Sequence, residues 1–278
     1  MKKILILFFV LGLSGIIFVS CDKNDSTPDY TQQSALAQDY AFIQGIYSDI
    51  FELLCQASGD SALIASGVGM IEGANVVYDS INHTYQFNFG TKKSINGKSG
   101  SFTAVSDGKF EDQGTKTTVF FNDFKVGDSR VEGSNDITNQ GKLSKKLSTL
   151  IQFSDSITNA KVIKGSDTMV FNATYSVLWA LNDTTITTDD EYTFGGSVSG
   201  STNTNKSFSA SISPNNLILF TPACTHIVSG IITMVMTTLD SNNAPLTTNV
   251  SVDFITSDGC NNQISVNTNG TIVSFPLQ

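Results

Sequence analysis

Four cysteines and two histidines are the side chains of this 278-residue chain with the widest chemical range. Cys21 follows Phe18-Val19-Ser20 at the end of a short apolar run, Ile4 to Ile17, which Lys2 and Lys3 precede. A thiol in that position is a candidate for covalent acylation, and the run before it is too short for a comfortable membrane span. With Cys21 acylated, Cys55, Cys224 and Cys260 remain, an odd set that cannot pair completely. Cys224 and Cys260 sit at the edges of successive extended segments and are the expected disulfide, whereas Cys55 lies among Leu53, Leu54 and Ala57 and reads as a small buried hydrophobe. His226 stands two residues after Cys224, a spacing that zinc sites use. A disulfide half beside a surface imidazole is the commoner outcome, so neither metal ligands nor a cofactor are expected. Abundant serine brings no Gly-x-Ser-x-Gly elbow, His83 and His226 are distant in sequence, and the few glutamates suggest no paired carboxylates, so no catalytic residue is nominated. Asp189-Asp190-Glu191 reads as an acidic hairpin turn rather than a calcium loop.

Phe18-Val19-Ser20-Cys21 resembles the bacterial lipobox, in which the cysteine is acylated and becomes the mature N-terminus, with Phe18 where leucine is more usual. The expected organisation is a lipoprotein signal peptide over 1–20, a flexible acidic tether over 21–31, an N-terminal helix over 32–58 and an antiparallel β domain over 68–278. Two or three acyl chains at about 0.8 kcal/mol per buried methylene would hold such a protein durably on a membrane. The partner implied first is therefore the membrane, with the outer membrane as location and its two faces left open.

Composition narrows the rest. Hydrophobic residues make up 40% of the chain and charged residues 15%, enough for a large core under a surface of Ser, Thr, Asn and Gly. A net charge of -9 with no basic stripe excludes a nucleic-acid partner. Between Leu36 and Leu54, apolar residues recur every three or four positions, including Tyr40, Ile43, Tyr47 and Phe51, which predicts one amphipathic helix with a polar side of Gln, Asp and Ser. Beyond Gly67 the period changes to two, most clearly in Met169, Phe171, Ala173, Tyr175, Val177, Trp179 and Leu181. Shorter strands are expected around Tyr85 to Phe89, Phe102, Val119 to Phe124, Tyr192, Phe208 to Ile212, Leu217 to Phe220, Ile227 to Met236, Val250 to Phe254, Ile264 and Ile272 to Phe275. The fold class is thus mainly β, an antiparallel meander with the helix packed on it. A curled half-barrel and a two-layer sandwich both satisfy the pattern.

Asn88-Phe89-Gly90-Thr91, Asn96-Gly97-Lys98-Ser99-Gly100-Ser101-Phe102, Phe121-Asn122-Asp123-Phe124-Lys125-Val126 and the closing Asp258-Gly259-Cys260-Asn261-Asn262 resemble a family of uncharacterised Bacteroidota lipoproteins. The resemblance implies fold and location and adds no chemistry. A second pattern, Asp followed by Ser or Thr and then a small or apolar residue, resembles the O-glycosylation signal of the same bacteria and marks Ser26, Ser61, Ser80, Ser156, Thr168 and Thr184, although Asp-Ser and Asp-Thr also start turns. The functional expectation is a lipid-anchored, non-enzymatic envelope protein with a binding or structural role toward an envelope protein or glycan. A carrier of apolar molecules and a secreted hydrolase are the alternatives.

Overall fold

The computed structural model describes residues 30–94, 97–144, 147–181, 190–224, 226–240, 244–255, 260 and 263–276. Helix α1 runs Thr31–Gly59, and Asp60 starts a second, short helix α2, Ser61–Ser66, by accepting hydrogen bonds on its carboxylate from the Ala62 and Leu63 amides. Gly67, at φ 75°, ends α2 in the left-handed region that glycine tolerates best, and the chain turns into the sheet.

The strands are β1 Val68–Ile71, β2 Ala74–Asp79, β3 Thr84–Gly90, β4 Lys98–Ser106, β5 Lys116–Val126, β6 Ser129–Ser144, β7 Leu147–Lys164, β8 Asp167–Ala180, β9 Glu191–Thr202, β10 Ser207–Ile212, β11 Ile218–Thr221, β12 His226–Leu239, β13 Pro245–Phe254, β14 Gln263–Thr268 and β15 Thr271–Pro276. They form one 15-stranded antiparallel meander, in which each strand pairs with its sequence neighbour. The exception is β11, which bridges β9 and β12 beyond the end of the shorter β10. Hairpin connections suffice because every pairing is antiparallel.

A sheet this wide cannot stay flat, and bulges bend it. Gly100 at φ +77° and Gly133 at φ +109° sit where the β4–β5 and β6–β7 registers shift. Both let adjacent backbones approach more closely than a Cβ would permit: one added at Gly133 would lie 2.7 Å from the Ala160 Cα. The curled sheet wraps α1. Tyr47 meets Phe121 of β5 and Phe171 of β8 edge-on, and Phe51 meets Phe153 of β7 and both Tyr192 and Phe194 of β9. Gln33 Nε2 reaches Thr238 of β12 from the helix start, and Lys98 of β4 covers its middle.

This wrapping changes the reading of the helix. The polar side expected to stay wet is largely inside: Gln44, Ser48, Asp49 and Glu52 are buried alongside Tyr40, Ile50 and Leu54. Along α1 the exposed positions are Thr31, Gln32, Ala35, Asp39 and Gly59. Two of the longest strands, β6 and β7, also lack the expected alternation. Bulges interrupt them, and their inward positions include Asn135, Asn139 and Asp155 where apolar residues would announce a strand.

Candidate functional site

Three polar arrangements rise above the background of the fold. The first joins Asp49 and Glu52 of α1, Glu72 of the β1–β2 turn and Lys98 at the start of β4. Lys98 Nζ donates to Asp49 Oδ1 at 2.6 Å and to Glu72 Oε2 at 2.8 Å, with its side chain 5% exposed. Carboxylate oxygens of the three acids lie within 4.8 Å of one another. Burial pushes Asp49 up to about 6, opposed by Lys98 and reinforced by Glu72. Burial also holds the Glu52 carboxyl well above its usual range, with Glu72 and Asp49 adding to it and Lys98 opposing, and the Gln56 side-chain amide donates to it. Desolvation works against the Lys98 charge, but Asp49 and Glu72 outweigh it and raise its pKa. The ammonium thus occupies the centre that a cation would take, and the cluster pins helix to sheet. The few glutamates suggest no such pairing in the sequence, because Glu72 and Lys98 come to Asp49 only through the β1–β2 turn and the pairing of β4 with β3.

The second arrangement lies in the core. Asp155 on β7 is fully buried and directly opposite Tyr175 on β8, with Asn135 of β6 diagonally adjacent. Tyr175 shares a hydrogen bond with the Tyr40 hydroxyl, Tyr40 donates to Gln44 Oε1, and Gln44 donates to Ser48. The carboxyl oxygens of Asp155, the Asn135 amide and the Tyr47 hydroxyl are buried without hydrogen-bond partners. Burial pushes Asp155 up to about 8, although the Asn135 amide beside it pulls the other way, so the side chain is a neutral acid at pH 7.

The third is the outer face of the sheet. Thr174, Ser197, Ser211, Thr233, Ser251 and Asn267 stand directly opposite one another in register across β8, β9, β10, β12, β13 and β14. The row crosses an open concavity of about 970 Å³, and Thr174 also borders a second of about 760 Å³ that reaches back to Gln140 on β6 and Gln152 on β7. Neither concavity has a charged residue in its lining. Small outward side chains on a bent sheet create these hollows, and nothing in the linear pattern marks them, since Ser and Thr on a wet face are ordinary.

The residues nominated from sequence are distributed differently. Cys224 and Cys260 are joined, S–S 2.01 Å, and Cys55 is free and buried, its thiol pushed well above the usual range by burial. His83 occupies the turn before β3 with Nδ1 3.4 Å from the Tyr78 hydroxyl, while burial lowers the pKa of His226, the first residue of β12. Neither belongs to a metal-ligating group among the described residues. Of the acidic turn expected at Asp189-Asp190-Glu191, Asp189 lies outside the described residues, Glu191 opens β9, and Asp190 is buried and accepts a 2.8 Å hydrogen bond from Trp179 Nε1. Ser61, Ser80 and Ser156 are exposed, and Thr168 is half-buried beside Asp167 at the start of β8. Cys21, Ser26 and Thr184 lie outside the described residues. No family model, characterised protein or solved structure matches this chain.

Proposed function

We propose that this chain is a lipoprotein held on the outer membrane by acyl groups on Cys21, with a β domain that serves the envelope by binding rather than by catalysis. Carrying this reading is the conjunction of a basic start, a short apolar run and Phe18-Val19-Ser20-Cys21 at its end. Among the described residues no helix is long and apolar enough to cross a membrane. A Cys224–Cys260 disulfide suits an oxidising compartment. The carrier alternative needs empty space under the sheet; the rings of Tyr47 and Phe171 and of Phe51 and Phe153 pack there, and the hollow between Leu36, Phe42 and Ile43 of α1 and Val162 and Met169 of the sheet, about 270 Å³, is smaller than most small-molecule sites. The hydrolase alternative needs open acid or nucleophile pairs, and the closest carboxyl group is closed by Lys98.

Labelled palmitate should enter the protein in cells and should fail to enter a Cys21→Ala variant. Absence of label from the wild type would defeat the anchor. Protease treatment of intact cells then assigns the face: rapid loss places the domain outside, and survival until the outer membrane is opened places it in the periplasm.

A further inference from the structure

We infer that the β14–β15 hairpin lies against the surface of the bilayer that holds Cys21, with Ile272 and Val273 of β15 in its headgroup region. This rests on the lipid anchor proposed above and deepens it by orienting the domain on the membrane. Two hydrogen bonds tie the hairpin to the start of α1: Asn269 Nδ2 donates to the Tyr30 hydroxyl at 3.2 Å, and Gln38 Nε2 donates to the Pro276 carbonyl at 3.2 Å. Both ends of β15 are therefore fixed beside the point where the chain leaves toward Cys21. Tyr30 follows Cys21 by nine residues, and a chain of that length spans at most about 30 Å. Whatever path those residues take, the acyl groups and the start of the helix stay within that reach. Another exposed apolar group, Ile64, Val68 and Met70, begins beyond the far end of α1, a 29-residue helix about 43 Å long. The covalent link thus brings the bilayer to the hairpin first.

The chemistry of the hairpin fits that neighbour. Residues 263–276 include no charged side chain, although the whole chain carries a net charge of -9, so the headgroups of an anionic membrane do not repel this part of it. β15 is the last strand of the meander and pairs only with β14 among the described residues, which leaves one backbone edge open. Ile272 is 64% and Val273 39% exposed, one on each face of the strand, and Phe275 is half-buried against the core. An open edge with apolar side chains on both faces and no lysine is one that β proteins in water avoid. Unpaired amides and carbonyls cannot enter hydrocarbon, but the hydrated headgroup region satisfies them while accepting the two side chains, which fixes a shallow depth. Two side chains alone would bind a bilayer weakly. The tether makes their contact intramolecular, and the effective concentration it supplies lets so small a patch hold an orientation.

The experiment is fluorescence of the purified acylated protein on vesicles of phosphatidylethanolamine and phosphatidylglycerol. A nitrobenzoxadiazole dye is placed on Ile272→Cys or, as the control, on Met70→Cys of β1, an equally apolar and exposed position. Cys55 is buried, so the introduced thiol takes the dye. On vesicles containing a headgroup nitroxide lipid, the dye at position 272 should shift to the blue and lose at least about half of its emission, while the dye at position 70 should change little. Adding Val273→Glu to Ile272→Cys should abolish the shift while the protein still floats with the vesicles through its acyl groups. Circular dichroism matching the wild type establishes that the variants fold. Water-like emission from position 272 on floated vesicles, equal quenching at both positions, or a shift that Val273→Glu leaves unchanged would overturn the proposal. So would a blue shift of the same label in the Cys21→Ala protein without vesicles that grows with protein concentration, since a second copy would then cover the edge. The mass of the wild-type protein reports the anchor separately: a chain without acyl groups defeats the anchor and the docking with it, whereas an acylated chain with a water-exposed hairpin defeats the docking alone.

Discussion

At the scale of single residues, the core of this protein contains titratable groups whose burial makes stability depend on pH. Asp155 is the simplest case. Its folded-state pKa of about 8 lies above its unfolded value of 3.8, so the folded form retains a proton that the unfolded form releases. Its contribution is most favourable below pH 4, is lost progressively as pH rises to about 8, and is constant above that. Asp155→Asn should remove this slope and raise stability at pH 7 by at most about 4 kcal/mol, measured as urea unfolding free energy against pH. A variant with the wild-type slope would show that Asp155 is ionised in the fold. Lys98 gives the opposite kind of dependence, on a partner rather than on pH. Lys98→Met should destabilise by about 3–5 kcal/mol, because Asp49 and Glu72 lose the cation that accompanies their burial. Adding Asp49→Asn and Glu72→Gln to it should restore much of that loss in the same denaturation assay.

Elements obey a different logic, in which backbone shape matters more than side-chain chemistry. The sheet turns around α1 because bulges on neighbouring strands bend it, and Gly133 is where the β6 bulge meets the backbone of β7 at Ala160. Gly133→Ala should cost about 1–3 kcal/mol, from positive φ and from contact with the Ala160 Cα together, as read from the thermal midpoint. Gly165, in the exposed β7–β8 turn with open space around its Cα, has the same sign of φ without the contact, so Gly165→Ala should cost less. Equal effects at both positions would mean that the close approach at β6–β7 contributes nothing. Bulges also explain why β6 and β7 were hard to read: each adds a residue to one strand and shifts the alternation by one. By contrast, β3 and β8 keep unbroken alternation, from Tyr85 to Phe89 and from Met169 to Trp179, and were legible at once.

For the whole molecule, one long helix and one continuous sheet share a single core, and the disulfide closes a separation of 36 residues at the end of the meander. Replacing Cys224 and Cys260 with serine should lower stability by about 3–4 kcal/mol on loop-closure grounds while the native far-ultraviolet spectrum is retained at low temperature. Cys55 serves as the reporter in that experiment: a thiol reagent should leave it unmodified in the folded protein and modify it as the core opens. Fast labelling under native conditions would contradict the packing around α1. The amino-acid sequence by itself determined the strand-rich class, the N-terminal helix and the antiparallel order, because alternation, 3.6-residue periodicity and short turns are local properties that need no knowledge of neighbours. It also singled out Cys21, whose meaning lies in the residues just before it. Only the tertiary structure decided that the polar side of the helix is enclosed, that Lys98 stands among Asp49, Glu52 and Glu72, that Asp155 is an uncharged core residue, and that hydroxyls from six strands form one row. Each of these depends on strand register and sheet curvature, which bring together residues from distant parts of the chain, and no local pattern encodes that distance.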